Sequence, residues 1–173
     1  MTLRQSILPL AALLLLAAPP PGRAEDDSPS APPSPALSLH LGAAEIFDSD
    51  THFAGWLDYE TALRVGPFVP LLRLGAAARG ETYAAFGAAL PLPLGAGFQF
   101  RPSFAAGFYE KGARRGVALG FPIEFHTTLA LSWSPAPSAW RLDLSLSHVS
   151  NAHLAHRNIG TELLTLGLSL PLP

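Results

Sequence analysis

The sequence predicts an all-β fold, an eight-stranded antiparallel transmembrane β-barrel. Three observations favour this fold class. The chain opens with an export signal, only 14% of its 173 residues are charged, and apolar and polar residues alternate over about eight segments of strand length. A soluble periplasmic β-sandwich would also show alternation, because its polar face would meet water. The export signal, the low charge and the segment length together favour the barrel.

Residues 1–24 are predicted to be a secretory signal peptide. Arg4 begins a short basic region, an apolar run covers 7–18, and small residues surround the expected cleavage position at Ala24. The run is too short to span a bilayer well, and three consecutive prolines follow it. Residues 25–36 are rich in Pro, Ser and Ala and predict a disordered leader. The barrel domain is therefore expected at 37–173.

The composition of the chain argues against several classes of function. Removal of the signal takes Arg4 and Arg23 with it and leaves nine basic against thirteen acidic residues, which argues against a nucleic-acid partner. The chain has no cysteine, so it has neither a disulfide framework nor a thiolate metal site. No cofactor is expected. An exported chain with little charge and no helical span is predicted to reside in the outer membrane of a Gram-negative bacterium.

The predicted strands follow the alternation in order. Leu37, Leu39 and Leu41 share one face of the first strand, and Phe98, Phe100 and Phe104 share one face of the fifth. Alanine-rich strands three and four have a weakly defined register. The eight predicted strands cover approximately 37–47, 52–65, 68–78, 81–90, 98–108, 117–131, 140–150 and 158–170.

Charged residues recur with period two opposite the apolar face, so a barrel would place them in its lumen. A barrel of eight strands is filled by side chains, and a pore is not expected. The residues predicted to pair there are Arg64, Arg73, Arg101, Arg141, Asp58, Glu60, Glu124 and Asp143.

An even number of strands places both chain ends at the periplasmic end of the barrel, with the loops at 48–51, 110–116 and 151–161 outside. Trp133 and Trp140 flank a periplasmic turn, where barrels carry an aromatic girdle. At about 3.3 Å per residue and a tilt of about 40°, the strand from Trp140 to Ser150 covers roughly 25 Å. Ser150 is thus predicted at the outer-leaflet edge, facing lipid.

Three polar residues interrupt the apolar faces of the last two strands. His148 and Ser150 continue the face of Leu146, and Glu162 shares a face with Leu164. Serine, histidine and a carboxylate are the residue types of a hydrolytic triad. Two other readings remain open at this point. The three residues are ordinary polar side chains at strand ends, or a metal cluster forms from His148, His153, His156 and Glu162.

The segment His148-Val-Ser150-Asn151-Ala152, followed by Asn158-Ile-Gly160-Thr-Glu162, resembles the outer-membrane lipid A 3-O-deacylases of the PagL type. The resemblance implies an esterase that removes the 3-O-linked hydroxy-acyl chain from lipid A. It implies that Ser150 is the nucleophile, that His148 is the general base, and that Glu162 orients His148. Asn151 matches the residue that stabilises the oxyanion in that family.

The same resemblance implies lipopolysaccharide as the partner within the outer membrane. Acyl chains would lie against the outer wall at Leu146 and Leu164, and basic loop residues would contact the lipid A phosphates. Whether the barrel forms a homodimer is left open. A small non-catalytic barrel, acting as a scaffold or adhesion module, is the alternative function. The basic residues proposed to contact phosphate are Arg157, Arg114, Arg115 and Lys111.

Overall fold

The structure is a computed structural model that describes residues 34–112, 116–136 and 139–173. The predicted signal peptide and most of the predicted leader lie outside these residues. No helix within the described ranges has the length and apolar character to cross a membrane. The strands are β1 (Ala36–Ala44), β2 (His52–Glu60), β3 (Val69–Ala77), β4 (Thr82–Ala89), β5 (Leu92–Gly95), β6 (Phe98–Glu110), β7 (Ile123–Trp133), β8 (Arg141–Ser150) and β9 (Thr161–Pro171).

The strands form one closed antiparallel sheet. Strands β4, β3, β2, β1, β9, β8, β7 and β6 are neighbours in that order, and β4 also pairs with β6. This last pairing closes the sheet, so the prediction of an eight-stranded barrel is confirmed. Strand β5 is an addition that pairs only with β6, through Leu92 opposite Phe100. The sequence predicts no strand between 90 and 98, because prolines such as those at 91 and 93 are typical of turns.

The apolar faces of the strands point outwards. Leu39 is 49% exposed, Leu144 50% and Leu166 69%, while the intervening residues are buried in the lumen. A water-soluble sandwich would bury these leucines between its sheets. A barrel with leucines outside and polar groups inside has the inside-out pattern of a membrane barrel, so the β-sandwich alternative is wrong.

The lumen holds the predicted ion pairs with two exceptions. Arg73 binds Asp58 through two hydrogen bonds of 2.8 and 2.7 Å, and Glu60 accepts hydrogen bonds from both Arg101, at 2.7 Å, and Arg141, at 2.8 Å. Paired charges are the form in which buried ions are tolerated.

The exceptions are Arg64 and Glu124. Strand β2 ends at Glu60 instead of 65, so Arg64 lies exposed in the following turn. Glu124 does face the lumen and is fully buried, but it forms no ion pair with any arginine of the described residues. Alternation therefore placed Glu124 on the correct face without identifying its surroundings.

Aromatic and basic side chains fill the middle of the lumen. The His40 ring stacks on Trp56 at 4.8 Å, and His126 meets Trp56 edge-on at 5.0 Å. The Arg73 guanidinium lies 4.9 Å from the Trp56 ring centroid, in cation–π geometry. These contacts occupy the space that a larger barrel would leave for water.

The sixth predicted strand begins too early. Strand β7 starts at Ile123, and 117–122 form a loop at the end of the barrel that carries His148. Leu119 is only 1% exposed and packs inside the barrel with Trp56, Val149 and Leu163. The loop thus retains an alternating pattern because it buries some of its apolar side chains, although it is not part of the sheet.

Candidate active site

The last two strands bring His148 and Glu162 face to face. Their register places the two residues directly opposite each other, and His148 Nδ1 lies 3.2 Å from Glu162 Oε1. Both side chains are on the outer wall of the barrel. The neighbouring pair on that face, towards the middle of the two strands, is Leu146 and Leu164. Side chains two apart on a strand share a face, so Ser150 lies on the same wall as His148.

This group is shielded from solvent by the protein itself. Ser150 and Glu162 are each 4% exposed, and the His148 side chain is 23% exposed. Shielding strengthens the electrostatic attraction between a carboxylate and an imidazolium, because less water screens it. Within the described residues the Ser150 hydroxyl forms no hydrogen bond to His148. Such bonds are often long in unliganded enzymes and shorten when substrate binds.

Gly160 lies against the ring of His148. Its φ of 69° is in the left-handed region that glycine adopts without a steric penalty. A Cβ at this position would lie 2.7 Å from His148 Cε1 and 3.3 Å from His148 Nε2. The loop before β9 can therefore support the imidazole only if residue 160 has no side chain.

The resemblance implies that His148 is the general base of an esterase, and on that basis we predict that Gly160→Ala lowers esterase activity about 10²-fold, since misplacing a catalytic group by about 1 Å has an effect of that size. The added methyl group must push the His148 ring away from its present position. Initial rates of ester hydrolysis by the purified, folded barrel test this. Gly66→Ala is the matched control, because Gly66 has a similar φ of 59° but no atom within 4 Å of its added Cβ. Equal activity of the two variants would contradict the prediction.

Asn151, which the resemblance implies as the oxyanion-stabilising residue, is held by hydrogen bonds to the backbone of two loops. Its side chain is fully buried and donates hydrogen bonds from Nδ2 to the carbonyl oxygens of Leu119, at 3.1 Å, and Arg157, at 2.8 Å. Its main-chain N–H donates to Asn158 Oδ1 at 3.0 Å. Strand alternation turns its side chain away from Ser150. The Nδ2 and main-chain N–H groups of Asn151 thus have acceptors within the protein, and its oxyanion role stays a prediction.

The basic residues are distributed over two loops. Lys111 lies directly after β6 and Arg157 between β8 and β9, and both are exposed. Both loops are at the end of the barrel that carries His148. Arg114 and Arg115 lie outside the described residues.

An aromatic pair borders Ser150 and was not recognised as part of the site from the sequence. Phe125 on β7 is directly opposite Ser150, and its ring stacks on Phe104 at 5.6 Å. On the other side, Leu146 and Leu164 are paired and are 41% and 46% exposed. The periodicity assigned Phe125 to the outer wall, but only the register between β7 and β8 places it beside Ser150.

The alternative prediction, a metal cluster of histidines and Glu162, has no counterpart in the part of the chain that the structure describes. Among the described residues, no group of three or more His, Asp or Glu side chains is arranged to hold a metal ion. His153 and His156 lie in the loop after β8, and His153 Nδ1 is 3.2 Å from Asn158 Nδ2. His148 instead has Glu162 as its partner.

A second carboxyl group lies close to Glu162. Glu45 follows β1, next to the Ala44–Leu163 pair, and the neighbouring Ile46 N–H donates to the Glu162 carbonyl at 3.5 Å. Burial raises the pKa of the Glu45 carboxyl above its usual 4.5, and the negative charges of Asp48 and Glu162 raise it further. Ionised Glu45 is therefore unfavourable in the folded barrel relative to the unfolded chain.

We predict that Glu45→Gln stabilises the barrel at pH 7. A raised carboxyl pKa gives the folded state an advantage below pH 4.5, and this advantage is lost as the pH rises through the folded-state pKa. Glutamine does not ionise, so it avoids this loss of stability. The stability that the variant gains over the wild type should therefore shrink when the pH falls towards 4. Urea unfolding midpoints of the wild type and the variant in detergent micelles, at pH 7 and pH 4, measure it. A gain that is the same at both pH values would contradict the electrostatic cause.

Comparison with known proteins gives both a family match and a fold match. Residues 50–171 match the family model described as lipid A 3-O-deacylase (PagL). The crystal structure of the outer-membrane enzyme PagL superimposes with a TM-score of 0.56 at 14% identity, covering 79% of this chain and 99% of that one. The search of curated proteins gives no match.

Two further solved barrels are similar. Neisserial surface protein A has a TM-score of 0.56 at 10% identity, over 80% of this chain and 96% of that one. A de novo designed transmembrane β-barrel has a TM-score of 0.55 at 9% identity, over 82% and 98%. At these identities the likeness concerns the fold alone. The chain is an outer-membrane β-barrel protein.

Proposed function

Because the chain belongs to the PagL family of lipid A 3-O-deacylases, we propose that it hydrolyses the 3-O-linked hydroxy-acyl ester of lipid A at the outer leaflet, with Ser150, His148 and Glu162 as its catalytic triad. The observation that carries the proposal is the His148–Glu162 contact of 3.2 Å on the lipid-facing wall, with Ser150 two residues along the same face. A triad on the outer wall would meet the ester of a lipid that is still in the membrane, so the substrate need not dissolve in water.

In this mechanism Glu162 accepts a hydrogen bond from the Nδ1–H group of His148, which leaves Nε2 unprotonated and able to act as a base. Nε2 takes the proton of the Ser150 hydroxyl while Oγ attacks the ester carbonyl carbon. The bond from this carbon to the sugar oxygen then breaks, and His148 returns the proton to that oxygen. Water hydrolyses the resulting acyl-serine by the same two proton transfers and releases a hydroxy fatty acid.

The surroundings of the triad suit a membrane lipid. Leu146 and Leu164 extend towards the bilayer centre from His148 and Glu162, and Phe125 borders Ser150 on the other side. A carboxylate that faces lipid costs about 2–4 kcal/mol or less at mid-depth and close to nothing near the interface. Pairing with His148 near the strand ends makes Glu162 tolerable at this position.

The lipid A phosphates would meet the loops above this wall. Lys111 and Arg157 are exposed there, and ammonium and guanidinium groups bind phosphate through charge-assisted hydrogen bonds. Arg114 and Arg115 belong to the same loop as Lys111 and remain proposed contacts. In this arrangement the charged head group is held at the loops while the acyl ester reaches Ser150.

Mass spectrometry of lipid A tests the proposal. Lipid A extracted from cells that express the chain should lose the mass of one hydroxy-acyl group, and the free hydroxy fatty acid should appear. Cells that express Ser150→Ala at the same level of folded barrel are the control. If both cell lines yield intact lipid A, purified barrel should be incubated with lipid A in detergent, because native membranes can restrict access. Intact lipid A in that assay as well would refute the proposal.

A further inference from the structure

We infer that Asn151 is a positioning residue, whose carboxamide joins the loop after β6 to the loop after β8 and thereby holds the backbone around the active site. This inference rests on the proposed esterase function. The carboxamide donates to the carbonyl oxygens of Leu119, at 3.1 Å, and Arg157, at 2.8 Å, and its Oδ1 accepts from the His153 N–H at 3.0 Å. A fully buried side chain thus bonds three main-chain groups in two loops.

The loop after β6 is itself fixed to the barrel. Leu119 is 1% exposed inside the barrel, so its carbonyl group is a fixed acceptor. At Gly120 the two loops are in backbone contact, since a Cβ there would lie 2.1 Å from the Arg157 carbonyl oxygen. Asn151 therefore connects the β8–β9 loop to a segment that the hydrophobic core already holds in place.

The turn that Asn151 begins requires such a connection. Ala152 and His153 have φ values of 50° and 66°, a region that is unfavourable for residues other than glycine and persists only when the surrounding structure enforces it. The Asn151 carbonyl accepts from the Leu154 N–H at 2.9 Å. Its N–H donates to Asn158 Oδ1 at 3.0 Å. The side-chain bond from His153 adds the third constraint on this turn.

The connected loop borders the triad at both of its ends. Ser150 directly precedes Asn151, and Gly160, at the other end of the loop, contacts the His148 ring. If the carboxamide bonds are lost, the backbone at both ends gains freedom, and the alignment of the Ser150 hydroxyl with the imidazole is lost with it. Asn151 acts in this way through position, without touching the substrate.

Two substitutions at Asn151 test the hydrogen bonds of its carboxamide. Asn151→Ala removes every side-chain bond, and Asn151→Asp keeps the acceptor for His153 but places a carboxylate oxygen against two carbonyl oxygens. We expect both to lower kcat about 10²-fold, with a smaller effect on KM. We also expect amide hydrogen exchange in 117–122 and 152–159 to accelerate roughly tenfold or more. The loop at 45–51 serves as the internal reference and should be unchanged.

The controls distinguish this role from the proposed chemistry. Ser150→Ala should abolish activity with normal loop exchange. Ser145→Ala should leave both unchanged, because that buried hydroxyl has no hydrogen-bond partner among the described residues. If the Asn151 variants lose activity with normal loop exchange, the residue acts in the chemistry and the inference is wrong. Wild-type exchange and activity, or failure of both variants to form a barrel, would also overturn it. If Ser150→Ala stays active, the proposed function fails, while loop exchange still reports on Asn151.

Discussion

Replacement of Ser150 by alanine is expected to lower the rate of lipid A deacylation by about 10³-fold or more, since loss of the nucleophile in a serine hydrolase removes the covalent route. The substitution deletes a single oxygen from a side chain that is 4% exposed and forms no hydrogen bond within the described residues. The barrel should therefore fold as before. Initial rates with lipid A in detergent micelles, together with heat-dependent gel mobility as a measure of folded barrel, test both parts.

Ser147→Ala is the matched control for this substitution. Ser147 is on the same strand, three residues earlier, but it faces the lumen and its hydroxyl donates to Thr128 at 3.0 Å. Its replacement should cost about 0.5–1.5 kcal/mol of stability and leave the deacylation rate unchanged. Wild-type deacylation by the Ser150→Ala variant would exclude Ser150 as the nucleophile, whereas no deacylation by the wild-type barrel itself would favour the non-catalytic scaffold.

The face of each strand could be predicted because period-two alternation is a local property of the backbone. Leu39 and Leu144 point outwards and Asp58 and Arg73 inwards, as the sequence predicts. The same property placed His148, Ser150 and Glu162 on the outer wall. The distance between His148 and Glu162 depends on the register of β8 against β9, which strand alternation alone does not determine.

The errors arise where a residue's surroundings come from other parts of the chain. Leu119 is apolar because it fills the end of the barrel, and alternation alone cannot distinguish such a loop from a strand. Arg64 was assigned to the lumen by extending a strand past its true end at Glu60. The bonds of Asn151 to Leu119 and Arg157 could not be predicted from the sequence either, because they depend on two loops that no local pattern describes.

Replacement of Glu162 by glutamine is the second prediction with a large effect, a loss of about 10³–10⁴-fold in kcat, as found for the orienting carboxylate in other serine hydrolases. Glutamine keeps the size of the side chain but removes the charge that stabilises the imidazolium. Its amide can also donate to His148 Nδ1, which would place the proton on Nε2 and prevent it from accepting the Ser150 proton. Glu110→Gln, in an exposed carboxylate at the end of β6, is the matched control and should retain full rate.

The decisive comparison for Glu162 is the double variant. Groups that act as one catalytic unit show strongly non-additive losses, so Glu162→Gln should have no further effect on the residual rate of Ser150→Ala. A carboxylate that merely stabilised the strand ends would lower the rate by the same factor in both backgrounds, through the fraction of folded barrel. Equal factors would therefore remove Glu162 from the triad and assign its 3.2 Å contact with His148 to stability. A loss confined to the serine-containing background would show that Glu162 orients His148 for catalysis, because only then does the effect of Glu162 depend on the nucleophile.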